Sequence, residues 1–152
     1  MAERLPGWVP LLTTKLFIPC VRLRLVSRPR LAERLDGCLS RQLALVSAPA
    51  GFGKTTLVST WVQGVRVPAA WLSLDEADND PTRFFRYLIA AFRKIDPTIG
   101  PDIQAALDAA PPPRVDAVIG ALINDLAARP ADLVLVLDDF HTIDQAIIHE
   151  AI

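Results

Sequence analysis

The 152-residue sequence contains only two cysteines, Cys20 and Cys38. Their separation matches no common zinc spacing, and two spare thiols fit a reducing cytoplasm better than a disulfide framework. A structural or inert role is expected for both, with a cytoplasmic location for the chain. Long apolar runs are also lacking. The longest uninterrupted aliphatic stretch, Leu133 to Leu137, falls far short of the roughly 20 residues that a bilayer-crossing helix needs, so no membrane contact is expected. Near the amino terminus, Glu3, Pro6, Pro10 and Pro19 interrupt any basic-then-apolar leader, and no secretion signal is expected. Neither sign of charge dominates. With 16 Lys and Arg against 17 Asp and Glu, the net charge is −1, and no general basic field exists to attract nucleic acid. Any contact with DNA would have to lie outside this chain. No internal repeat is visible.

What is present is an ordinary globular composition, 51% hydrophobic and 22% charged, enough to fold around a core. Residues 1 to 40 read as a lead-in followed by a short helix, with Ser27 as its cap, Pro29 in the first turn, Leu31 and Leu35 on one face and Gly37 as the stop. Residues 41 to 152 read as the main domain. Leu43 to Ser47 is a continuous apolar run expected to form a buried parallel strand, and Leu57, Val58, Trp61 and Val62 then recur at helical spacing. A second strand fits Ala69 to Leu74. Asp80 is expected to cap, and Pro81 to open, a helix that buries Phe84, Phe85, Leu88, Ile89, Phe92 and Ile95 while Arg83, Arg86 and Lys94 face water. Pro97 should end it, and Asp108 to Pro113 reads as a stiff connector. Val115, Val118, Ile119, Leu122, Ile123 and Leu126 mark a further helix, and Leu133 to Leu137 a third strand. Strands alternating with helices indicate an α/β domain with a mainly parallel sheet.

One segment carries chemistry. Ala48-Pro49-Ala50-Gly51-Phe52-Gly53-Lys54-Thr55-Thr56 fits the phosphate-binding pattern G-x-x-x-x-G-K-[ST], with alanine at the first position. Triphosphate oxygens need several backbone N–H donors converging on them. Gly51 and Gly53 permit that close approach, and a helix starting near Lys54 points its positive end at the anion. Lys54 would supply a full charge to the β and γ phosphates, Thr55 a hydroxyl to Mg²⁺, and Thr56 further phosphate contact. The apolar strand ending in Asp138-Asp139 reads as the second half of such a site, with Asp138 holding the metal through water and Asp139 orienting or deprotonating an attacking water. Trp71, Phe84, Phe85 and Phe92 read as core, and Asp75, Glu76, Asp78 and Asp80 as a solvated turn and helix cap. His141 and His149 read as surface residues.

The string from Ser47 to Leu57 resembles the nucleotide site of the MalT-type, large LuxR-family transcriptional regulators, which belong to the STAND class of signal-transducing ATPases. Thr14-Lys15-Leu16 through Leu31, Trp71 through Asp80, and Leu135 through His141 are similar to three further segments of that family in the same order. The resemblance implies a P-loop NTPase-like three-layer α/β fold, binding of ATP or ADP with Mg²⁺, and a nucleotide-driven switch. In such regulators ADP favours a resting monomer, whereas ATP and an inducer favour self-assembly, after which a C-terminal helix-turn-helix binds promoters. It also implies that Val26 and Arg28 lie on the base or ribose side of the nucleotide. In the family's sheet order, 5-1-4-3-2, the fold would be incomplete here, truncated before the fourth and fifth core strands. The phosphate loop and the aspartates would then be joined by direct pairing, by a partner chain, or by an incomplete fold. Two other functions compete with the switch: a small stand-alone P-loop ATPase or phosphotransferase, and an inactive fragment or assembly module that docks on a full-length relative.

Overall fold

The computed structural model describes residues 11–20, 28–109 and 111–152. Among the described residues eight elements follow one another: α1 (Pro29–Asp36), α2 (Lys54–Gly64), β1 (Ala69–Ser73), α3 (Pro81–Arg93), α4 (Pro101–Asp108), α5 (Val115–Ala127), β2 (Val134–Asp138) and the single turn α6 (Ala146–His149). Short 3-10 turns occupy Thr13–Leu16, Gly37–Ser40, Glu76–Asn79 and Phe140–Thr142.

The two strands pair in parallel, with Ala69 opposite Val134 and Ser73 opposite Asp138. Parallel pairing requires a long crossover, which α3, α4 and α5 provide. The core lies where α3 packs against β1. Leu72, Phe84 and Ile89 are completely buried, and Trp71, Phe85, Tyr87, Leu88 and Phe92 nearly so, as the helical spacing of the aromatic residues predicts. Phe84 and Phe85 meet edge to face, with centroids 5.4 Å apart. The Asp80 carboxylate accepts from the Arg83 backbone N–H, and Pro81 occupies the first turn, as expected of that boundary.

Several expectations fail. Leu43 to Ser47 is not a strand: the segment has no ladder partner among the described residues, and Leu43 and Leu45 are 74% and 88% exposed. An apolar run becomes a strand only when a neighbour takes up its N–H and C=O groups. Among the described residues the sheet has two strands, so the α/β fold is incomplete. Helix α4 was not anticipated, although Gly100 in the left-handed region and Pro101 at the first position open it; α3 itself ends at Arg93, ahead of Pro97. Finally, Arg83, Arg86 and Lys94 do not simply face water. Arg83 pairs with Asp78, Arg86 with Asp108 and the Leu107 carbonyl, and Lys94 donates to the Leu16 carbonyl.

The acidic turn is the largest departure. Asp78 is completely buried, held by Lys15 and, at 2.9 Å, by Arg83. Lys15, itself 8% exposed, also reaches Asp75 at 2.8 Å. A buried carboxylate survives only with such partners. The arrangement ties the Thr13–Leu16 turn to the Glu76–Asn79 turn, where Asp78 lies 63 residues on from Lys15, and through Arg83 to α3.

Candidate nucleotide-binding site

The loop between Ser47 and Lys54 owes its shape to its glycines. Gly51 and Gly53 have φ of 80° and 77°, a left-handed conformation that side chains with a Cβ resist. Gly53 serves as the N-cap of α2, and its carbonyl accepts from the Leu57 N–H at 2.9 Å. The first-turn amides of α2 therefore open toward the loop, and the helix dipole places partial positive charge there. A Cβ built on Gly51 would meet nothing within 4 Å, so the glycine leaves open space above the loop backbone.

Two cations are folded onto this loop. Lys54 Nζ donates to the Ala48 carbonyl at 2.8 Å and to Pro49 at 3.2 Å. Arg28, exposed just before α1, donates from Nη1 to the Phe52 carbonyl at 3.0 Å. Phe52 is 60% exposed, and Ala50 and Thr56 also lie on the surface. Trp61 Nε1 donates to Asp36 at 2.8 Å, fastening α2 to α1 and so keeping Arg28 beside the loop. Val26 lies outside the described residues.

The second half of the site comes from the end of β2. Thr55, in the first turn of α2, donates its hydroxyl to Asp138 Oδ1 at 2.9 Å. Burial pushes the Asp138 carboxyl above its ordinary range; the Thr55 hydrogen bond opposes that shift, and the neighbouring Asp139 charge adds to it. Asp139 is the only described residue other than glycine with positive φ, at 57°. Its carboxylate is half exposed, with His141 Nδ1 3.8 Å away. His149 sits against the Phe140 ring, and its Nε2 lies 2.7 Å from the Ile143 carbonyl.

Loop, lysine, hydroxyl and Asp138 thus converge on one end of the sheet, while Asp139 stands at its rim. The pair Thr55 and Asp138 offers two hard oxygen atoms, the donor type that Mg²⁺ prefers when phosphates and water complete its shell. Among the described residues no group of three or more His, Cys, Asp or Glu gathers into a dedicated metal cage. Behind these residues lies a network with no signature in the local sequence. The Asn79 side chain donates to the Thr142 carbonyl at 2.8 Å and accepts from the Asp144 and Gln145 amides at 2.7 and 3.2 Å. Nothing local in Asp78-Asn79-Asp80 signals partners 63 to 66 residues away.

A phosphate-binding loop opening a helix beside a strand that ends in an aspartate defines an ATPase-type nucleotide domain, and the family comparison agrees: residues 24–149 match the AAA ATPase domain. The chain belongs to that family. Over 141 residues it is 39% identical to the HTH-type transcriptional regulator MalT of Cronobacter sakazakii and 36% identical to the regulator of the same name from Klebsiella pneumoniae. In both cases the similarity covers 93% of this chain but 16% of the relative. No helix of the described residues is long and apolar enough to cross a membrane.

Proposed function

We propose that this chain is the ATP- or ADP-binding part of a MalT-like, LuxR-family transcriptional regulator of the STAND class, working as a nucleotide-dependent signalling switch in the cytoplasm. The observation that carries the reading is the Thr55–Asp138 hydrogen bond, which joins the phosphate loop to the end of β2. In this reading Ala48 to Gly53 present backbone amides to the phosphates, and Lys54 exchanges its loop carbonyls for phosphate oxygens. Thr55 and Asp138 hold Mg²⁺, and Thr56 adds a phosphate contact. Magnesium, when bound with the nucleotide, neutralises charge on the phosphate oxygens. Arg28 and Val26 attend the base or ribose side, and Asp139 orients water for at most slow hydrolysis. Contact with DNA belongs to a separate C-terminal domain outside these 152 residues, and self-association follows the nucleotide state.

Displacement of a fluorescent ADP analogue tests the reading. ATP and ADP should compete for one site, and Lys54→Ala should weaken binding at least about tenfold, the cost of removing a charged hydrogen-bonding partner. Undiminished affinity in Lys54→Ala would sink the assignment.

A further inference from the structure

The two aspartates at the end of β2 are followed by a turn that α2 and its loop do not touch by hydrogen bonds, and something else must hold it. Three facts identify what does. Thr142 donates twice to the Asp139 carbonyl, from its backbone N–H and from its hydroxyl, both at 3.0 Å. The Thr142 carbonyl in turn accepts from Asn79 Nδ2 at 2.8 Å. Asn79 Oδ1 accepts from the next two free amides, Asp144 and Gln145, and Nδ2 also reaches the Glu76 carbonyl at 3.0 Å. Every hydrogen-bonding position of one amide is therefore engaged, and three of the four bonds clamp the segment that follows Asp139.

Asp139 needs such a clamp. Its left-handed backbone, φ 57°, is a conformation that residues with a Cβ seldom adopt and that its surroundings must hold in place. The turn that supplies Asn79 is rigid in its own right. It is closed by a reciprocal capping pair, in which the Asp75 side chain and the Asp78 side chain each accept from the other's end of the turn, and Asp78 is fixed by Lys15 and Arg83.

We propose that Asn79 is a positioning residue for the nucleotide site. Through Thr142 it fixes the backbone of Asp139, and thereby the direction in which Asp138 and Asp139 present their carboxylates to the metal and to water. The inference rests on the reading of those aspartates given above. It predicts a selective defect, because Lys54 and the loop amides are untouched by the Asn79 network.

The test compares Mg²⁺-ATP with Mg²⁺-free ADP on the intact chain, alongside amide hydrogen exchange. In Asn79→Ala the affinity for Mg²⁺-ATP should fall roughly tenfold or more, as losses of supporting hydrogen bonds around metal ligands do, while Mg²⁺-free ADP changes by less than about twofold. Exchange should quicken at Thr142, Asp144 and Gln145 and stay unchanged at the start of α2. An unchanged Mg²⁺-ATP affinity, or an equal fall for both nucleotides, overturns the proposal. If Asn79→Ala does not fold, Asn79→Asp decides: it keeps the acceptor for Asp144 and Gln145 and loses the donor to Thr142, and must show the same selective loss. Lys54→Ala separates the two readings. If it binds both nucleotides normally, the nucleotide assignment fails; if it binds neither while Asn79→Ala is unselective, only the positioning role fails.

Discussion

Thr55 and Asp138 meet through a 2.9 Å hydrogen bond although 83 residues separate them in sequence. The bond is the shortest statement of how the fold makes its site. The helix that begins at Lys54 and the strand that ends at Asp138 bring a hydroxyl and a carboxylate to one point, level with Ser73 of the neighbouring strand.

If that pair holds the metal of a bound nucleotide, the two side chains act as one unit. Thr55→Val and Asp138→Asn should each lower Mg²⁺-ATP affinity about tenfold or more, and the double variant should lose much less than the product of the two losses. Titration of the three variants with and without Mg²⁺ checks this. Strictly multiplicative losses that persist without Mg²⁺ would show that the residues work separately from a shared metal.

A second expectation concerns the buried charges that secure the Thr13–Leu16 turn. Lys15→Met strips one of two cations from a carboxylate with no exposure and should cost about 3 kcal/mol in denaturant unfolding, the low end of the range for breaking a buried pair, because Arg83 still faces Asp78. The dependence on pH has a definite sign. The hydrogen bond from Lys15 lowers the Asp75 carboxyl below its ordinary value of 3.8. Its stabilising contribution is therefore complete above that value and is lost as pH falls through the depressed folded value. The stabilities of wild type and Lys15→Met should draw together in acid. A gap that widens below pH 4 would contradict the assignment of that network.

The local features of this molecule were legible in its sequence where the physics is local. The phosphate loop shows itself because Gly51, Gly53 and Lys54 have to be those residues at that spacing, and α3 because Phe84, Phe85, Leu88, Ile89 and Phe92 share one helical face that the structure buries. The failures belong to long-range partners. Leu43 to Ser47 has the composition of a buried strand but finds no neighbour among the described residues. Asp78 reads as one more solvated acid because Lys15 is 63 positions away, and nothing beside Asn79 in the sequence points to Thr142 for the same reason. Helix α4 was hidden by its own opening, since Gly100-Pro101 punctuates a turn as readily as it starts a helix.

The central claim, that residues 48 to 56 together with Asp138 hold a magnesium nucleotide, is tested most directly by calorimetric titration of the chain with ATP, once with Mg²⁺ and once with EDTA. A single saturable site is expected in Mg²⁺, with an affinity at least about tenfold weaker in EDTA, because the Thr55–Asp138 pair then has no ion to hold. Absence of saturable binding in Mg²⁺, or one affinity in both buffers, would contradict it.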